Sequence, residues 1–450
     1  MATSTRKEDK QDERAQDAAD EQASNDQAEK QQDDADAAAT ANGQPDGEAS
    51  DDDQPDAESD DSTEQAQDEK PQGEASGEDD SDEEPQDAND ESPAGKPIDV
   101  PGEASLEVEF NTYPANSYAH DDLGFEEDDL IEIYRNMLLQ RRFEERCRQM
   151  YQRQKISGFL HLYIGQEAVS TGSIQAIGLG EDTVITAYRD HGMALAMGME
   201  PDACMAELFG KETGVSKGKG GSMHFFDAER RMFGGHGIVG AGVPLGAGIA
   251  FAHKYRSDDE ICLCFFGDGA VNQGAFHEAA NLAGLYDLPV VLICENNQYG
   301  MGTHIDRAMA ESKVYRHAVS YDMPGSVANG MDVFSVNKAV RDHVEMAREG
   351  QPSLLELKTY RYQGHSISDP AKYRAEGELE ERQGQDAIAR LHKYMLDEDL
   401  ASEDALDEID DEVKQETKDA VEFAEESDLP DEEAIYDDVY SEDDYPFLMR

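Results

Sequence analysis

Two short segments carry residue types that could do chemistry together. Gly267-Asp268-Gly269-Ala270 follows the apolar run Ile261–Phe266, and Glu295-Asn296-Asn297-Gln298-Tyr299-Gly300 follows the apolar run Pro289–Cys294. Asp268 and Asn297 stand 29 positions apart, and each offers a hard oxygen. If the two runs are neighbouring parallel strands, the loops after them converge at the carboxyl edge of the sheet. Two such oxygens and a main-chain carbonyl would fill half of an octahedral Mg²⁺ shell, leaving the rest for water and phosphate oxygens. Glycines on both sides of Asp268 permit close backbone approach, and a helix beginning near Val271 would turn free N–H groups toward a phosphate. Gly-Asp-Gly alone is a common turn. Its pairing with Asn-Asn at the ends of consecutive apolar runs is what carries information.

The surrounding pattern supplies the elements that must position these loops. Both runs are continuously apolar, as expected of strands buried on both faces of a parallel sheet. Between them, residues 272–287 place Phe276, Ala279, Ala280 and Ala283 on one helix face. Strand, helix and strand in that order make a βαβ unit. Further strands are expected at Thr183–Tyr188 and Leu354–Tyr362, and a helix over 126–156 with Leu130, Tyr134, Met137 and Leu138 at helical spacing. Near the C-terminus Leu406, Ile409, Val413 and Val421 trace one helical stripe, read as core or subunit packing.

With these motifs in place the chain resembles thiamine-diphosphate enzymes, whose signature is Gly-Asp-Gly, about 30 residues, then Asn-Asn. The agreement extends to Gly158-Phe159-Leu160-His161, Gly165-Gln166-Glu167-Ala168, Ala187-Tyr188-Arg189, Lys217 through His224, Gly237-Ile238-Val239-Gly240, Gly300-Met301-Gly302-Thr303 and Tyr360 through Ser366. Over roughly residues 125–425 this is similar to the alpha subunits of 2-oxoacid dehydrogenases, the pyruvate type above all. The resemblance implies an α/β thiamine-diphosphate-binding fold, a doubly wound and mainly parallel sheet with flanking helices. It implies Mg²⁺ on Asp268, Asn297 and the main-chain carbonyl of Tyr299. It places the diphosphate on the N–H groups of Gly269 and Ala270 and on Tyr188 and Arg189, whose planar fork suits phosphate. Backbone contacts from Gly237 and Val239 would meet the aminopyrimidine ring, although His236 stands where the family usually has Asn. His161 and His365 match the family's active-site histidines, and each would also touch the cofactor. Ser366 occupies a place that is phosphorylated in some relatives, and nothing in the sequence points to a kinase.

Charge divides the chain differently. Its 450 residues carry a formal net charge of −64. Residues 1–100 hold 35 acidic and 7 basic side chains and no aromatic residue, a composition expected to stay disordered. The other 350 residues hold 67 acidic and 31 basic side chains, and all the aromatics. Two acids per base repel one another unless salt screens them, so the sequence reads as adapted to high ionic strength. No basic stripe exists to meet nucleic acid. No run reaches the ~20 apolar residues of a membrane span, and the N-terminus has no apolar signal region. Five cysteines without a CxxC pair fit a reducing, cytoplasmic setting. The expected organisation is a tail over 1–100, an extended lead-in over 101–125, the α/β domain with its C-terminal helices over 126–425, and an acidic extension over 426–450.

The diphosphate-binding half occurs once, and too little chain remains for a second α/β domain. The glutamate that activates the aminopyrimidine in this family should therefore come from a beta subunit, in a heterotetramer of two alpha and two beta chains. The implied activity is oxidative decarboxylation of a small 2-oxoacid, pyruvate, with acyl transfer to the lipoyl acyltransferase component of a multienzyme complex. Acetoin dehydrogenase alpha subunits share nearly all the motifs and branched-chain 2-oxoacid dehydrogenases most of them. A non-catalytic scaffold built around the acidic tail is the reading from another class.

Overall fold

The computed structural model describes residues 110–439. The expected tail, the lead-in up to residue 109 and the last part of the acidic extension lie outside these residues. The described region is built on a seven-stranded sheet with spatial order β1-β8-β9-β5-β4-β2-β3, every pairing parallel. In chain order the strands are β1 (Asn111–Tyr113), β2 (Thr183–Ala187), β3 (Met232–His236), β4 (Cys262–Gly267) and β5 (Val290–Asn296). A short antiparallel ribbon follows, β6 (Tyr299–Gly300) with β7 (Thr303–His304), and then β8 (Gly325–Asn329) and β9 (Ser353–Lys358).

The continuous apolar runs have the reason expected of them. On β4 and β5, Leu263, Phe265, Val291 and Ile293 enter one core, while Cys262, Cys264, Phe266, Val290, Leu292 and Cys294 enter another on the opposite face. Each large side chain so buried contributes about 1.5–3 kcal/mol. Five free cysteines are all buried, as small hydrophobes are.

Helices cover both faces. On one side lie α1 (Glu127–Gln152), α2 (Glu167–Ile174), α3 (His191–Ala196) and α4 (Pro201–Leu208). On the other lie α5 (Gly242–Arg256) and α6 (Gly274–Leu285), and α6 buries Phe276, Ala279, Ala280 and Ala283 as its spacing predicts. The first side is completed by α7 (Val333–Arg348), whose N-cap Asp332 accepts from Phe334 N at 3.0 Å. Late in the chain come α8 (Ala387–Asp397) and α9 (Glu403–Glu426). Leu406 and Val413 of α9 are buried, and the stripe joins the main core with Ile409 and Val421 at its margin.

The helix expected near Val271 begins later. Asp268–Asn272 forms a 3₁₀ turn, and α6 starts only at Gly274. Gly269 and Ala270 thus sit in the first turn of the 3₁₀ segment, where N–H groups also lack partners of their own. Strand ends differ from expectation by one to four residues, the largest at β9, where the chain leaves the sheet after Lys358 and carries Tyr360 to Tyr362 into the core beyond it.

Candidate active site

The motifs that follow strands all emerge at one edge. The loops after β2, β4, β5 and β9 all leave the carboxyl ends of adjacent parallel strands, the crevice where open α/β sheets bind ligands. The loop after β3 lies beside that after β4, since a Cβ on Gly240 would stand 3.7 Å from the carbonyl oxygen of Ala270.

Asp268 is almost fully buried, and desolvation pushes its pKa up to about 6 despite the opposing charge of Arg361. Asn297 is buried as well. Its Nδ2 donates to Gln166 Oε1 at 2.9 Å, which fixes the amide, and its Oδ1 accepts only a long bond from Tyr299 N at 3.4 Å, so one lone pair remains. The Gly269 and Gly300 backbones touch so closely that a Cβ on either would meet the other's Cα at 3.4 Å, bringing the two signature loops together. The carbonyl of Tyr299 accepts from Arg361 Nη1 at 3.3 Å; a carbonyl has two lone pairs, so one remains for a cation.

Three rings form the next layer. The centroids of His161 and Tyr188 are 4.8 Å apart, those of His161 and His365 5.3 Å, and those of Tyr188 and His365 5.6 Å. Nδ1 of each histidine is buried without a hydrogen-bond partner. Burial, reinforced by Arg189, pushes His161 down to about 3 and His365 down to about 4, so both rings are neutral near pH 7. Arg189 itself is buried and donates only to carbonyls, to Leu162 at 2.6 Å and His365 at 2.7 Å. Among the described residues no carboxylate pairs with it. Burial first, then Arg361, lowers its pKa to about 10.

A desolvated guanidinium and a desolvated carboxylate that each lack a salt-bridge partner, with two orphaned imidazole nitrogens, are costly singly. Together they fit a diphosphate held through a divalent cation, which would complete all four. Gly237 and Val239 stand apart from the histidines on the loop after β3, with Val239 43% exposed and Ile238 77% exposed. His236 turns its Nε2 to the carbonyl of Phe233 at 3.1 Å, which leaves the main chain after it available.

Four supporting groups were not assigned roles from the sequence. Gln166 orients Asn297. Arg361, fully buried, binds the carbonyls of Tyr299, Met301 and Gln363 and so ties the β6–β7 ribbon to the segment after β9. Glu295 accepts from Tyr163 Oη, and burial raises its pKa to about 7. His191 bridges Glu144 at 3.0 Å and Ser222 Oγ at 3.0 Å, and Ser222 Oγ accepts from the N–H of His161 at 3.1 Å. Gln166, Ser222 and Arg361 lie inside the recognised motifs, but their partners are 131, 61 and 62 positions away.

A parallel, doubly wound sheet with such groups at its carboxyl edge defines a cofactor-binding α/β fold. A family model described as "Dehydrogenase E1 component" matches residues 135–433, and the chain belongs to that family. The chain is 49% identical over 314 residues to the "Pyruvate dehydrogenase E1 component subunit alpha" of Rickettsia bellii, covering 70% of this chain and 96% of the relative. It is 48% identical over 314 residues to the protein of that name from Zymomonas mobilis, covering 69% and 88%. The mitochondrial "Pyruvate dehydrogenase E1 component subunit alpha-1" of Arabidopsis thaliana is 45% identical over 314 residues, covering 69% and 80%.

Proposed function

We propose that this chain is the alpha subunit of a pyruvate dehydrogenase E1 component, an oxidoreductase that decarboxylates pyruvate with thiamine diphosphate. What carries the reading is the meeting of Asp268, Asn297, Arg189, His161, Tyr188 and His365 at one sheet edge, in a chain that spans nearly the whole length of relatives bearing that name. Thiamine diphosphate, when bound, supplies the nucleophile and the electron sink for loss of CO₂ from the 2-oxoacid.

The chain's own residues bind and orient. Asp268, Asn297 and the Tyr299 carbonyl hold Mg²⁺. The N–H groups of Gly269 and Ala270, with Tyr188, Arg189 and His365, hold the diphosphate. Backbone at Gly237 and Val239 meets the aminopyrimidine. His161 and His365, neutral and unpartnered at Nδ1, present hydrogen-bonding nitrogens to the reacting end of the site.

The site is half of one. Phe159, Ile238, Val239 and Met301, all exposed, stand on the loops around it, and apolar residues clustered at a functional edge mark a surface for a partner. We assign that surface to a beta subunit, which supplies the activating glutamate in a heterotetramer of two alpha and two beta chains. The two-carbon unit left after loss of CO₂ would be transferred as an acyl group to the lipoyl domain of an acyltransferase component, whose disulfide would take up the two electrons and end as one thioester and one thiol. Among the described residues no helix is long and apolar enough to cross a membrane, and we place the complex in the cytoplasm of a cell with high internal salt. Substrate profiling of the co-expressed pair tests the assignment. Pyruvate should be turned over fastest; preference for branched-chain 2-oxoacids or acetoin would move the chain to a sister enzyme.

A further inference from the structure

At the amino edge of the sheet, away from the candidate active site, the last turn of α5 carries His253. Its ring is 2% exposed. Thr183 Oγ1, at the start of β2, lies 3.1 Å from its Nε2. That hydroxyl has one proton, and it donates to the carbonyl of Ile261 at 3.0 Å. It is therefore placed to accept from Nε2–H, which occupies that nitrogen and leaves Nδ1 to face the other way. Nδ1 faces Asp258 Oδ1 at 3.2 Å and Glu260 Oε2 at 3.0 Å, yet is buried without a hydrogen bond to either. Three possible ligand atoms therefore converge, and no hydrogen bond joins the imidazole to either carboxylate.

The donors are held where they are. Asp258 N donates to the His253 carbonyl at 3.3 Å, and Glu260 N donates to Asp258 Oδ1 at 3.3 Å. Arg348 grips the carbonyl of Asp259 between them at 2.6 Å. Arg231 binds Glu260 Oε1, turning Oε2 toward the imidazole. One ligand atom from each of His253, Asp258 and Glu260 lies within 4.8 Å of the others. Around a tetrahedral ion with bonds of about 2.0–2.2 Å, neighbouring ligand atoms stand roughly 3.3 Å apart.

We propose that His253, Asp258 and Glu260 form a second metal site, for a divalent transition cation such as Zn²⁺ or Mn²⁺. One imidazole nitrogen and two carboxylate oxygens suit such an ion better than Mg²⁺ or Ca²⁺, which prefer oxygen alone. Thr183 on Nε2 and Arg231 on Glu260 play the orienting part that outer hydrogen bonds play around metal ligands. The ion ties the end of α5 to the start of β4, and its place at the amino edge makes it structural.

The test titrates Zn²⁺ alone into chelator-stripped alpha–beta assembly, in excess Mg²⁺ and molar KCl to suppress weak binding to surface acids. Wild type, Asp258→Asn and Glu260→Gln are compared. Wild type should bind one Zn²⁺ per alpha chain, with an X-ray absorption edge showing a single imidazole ligand. Each variant should weaken binding roughly tenfold or more while pyruvate turnover in the absence of added Zn²⁺ stays unchanged. Zn²⁺ should also raise the thermal midpoint of wild type and not of the variants. Asp258 sits on a part-exposed loop, so Asp258→Asn remains informative if Glu260→Gln misfolds. Equal binding by wild type and variants would overturn the proposal. So would absence of binding with His253 protonated at neutral pH, since the cluster would then be an imidazolium clamped by two carboxylates.

Discussion

Arg189 Nη2 donates to the main-chain carbonyl of His365 at 2.7 Å, across 176 positions of sequence. Its Nη1 does the same for Leu162, next to His161. The guanidinium thus fastens both histidine segments to the loop after β2 before any ligand arrives. Its remaining donors are free for phosphate. Lysine keeps the charge and loses the fork, and a hydrogen bond to a charged group contributes about 1.5–3 kcal/mol. Arg189→Lys should therefore weaken thiamine diphosphate binding about 10- to 100-fold and speed proteolysis of the segment around His365. Unchanged affinity by calorimetry would remove Arg189 from the diphosphate site.

Asp268 should behave oppositely in the presence and absence of cofactor. Its carboxylate is desolvated, which raises its pKa to about 6 and makes its charge a cost in the cofactor-free protein. Asp268→Asn should raise the thermal midpoint of the cofactor-free assembly, or leave it unchanged, while abolishing Mg²⁺-dependent cofactor binding. Mg²⁺ tolerates loss of a charged ligand badly. Cofactor affinity equal to wild type would end the metal assignment.

The histidines give a pH prediction with a definite sign. Folded values of about 3 for His161 and about 4 for His365 lie below the ordinary ~6.5. As pH falls below ~6.5 the unfolded chain takes up protons that these folded rings refuse, so stability is lost progressively toward pH 4. Histidine C2–H exchange read by mass spectrometry on cofactor-free assembly should find both rings neutral at pH 6. Either ring titrating above 6 would contradict the burial argument.

How much of this was legible in advance depended on range. The runs at β4 and β5, the face of α6 and the loops bearing Asp268 and Asn297 follow from local periodicity and turn chemistry, and the structure keeps them. The delayed start of α6 was hidden because a 3₁₀ turn at Asp268–Asn272 uses the same residues a helix would. Gln166 and Arg361 act through partners remote in sequence, so no local spacing announces their roles. The sequence reading assigns no role to His253, Asp258 or Glu260. The orientation of the His253 ring depends on Thr183, which belongs to another strand, so no local spacing announces the cluster.

Salt tests the reading of the acidic composition. Removing residues 1–100 takes away 35 acidic and 7 basic side chains but no aromatic residue. Turnover with an artificial electron acceptor should survive. Both full-length and truncated assemblies should dissociate and lose activity toward 0.1 M KCl, since the Debye length grows from ~3 Å at 1 M to ~10 Å there. Sedimentation and activity from 0.1 M to 3 M KCl should give nearly superimposable profiles. Full assembly at 0.1 M would refute the high-salt adaptation, and loss of turnover on truncation at high salt would give the tail a role denied to it here.

The most direct measurement is release of CO₂ from pyruvate labelled at its carboxyl carbon. It should be followed with purified alpha chain alone, with beta chain alone and with the two mixed, each with thiamine diphosphate, Mg²⁺ and an artificial electron acceptor. Label should be released by the mixture and by neither chain alone, because this chain carries the diphosphate half of the site and needs its partner for the rest. Sustained release by the alpha chain alone would contradict the half-site, and no release by the mixture would contradict the function.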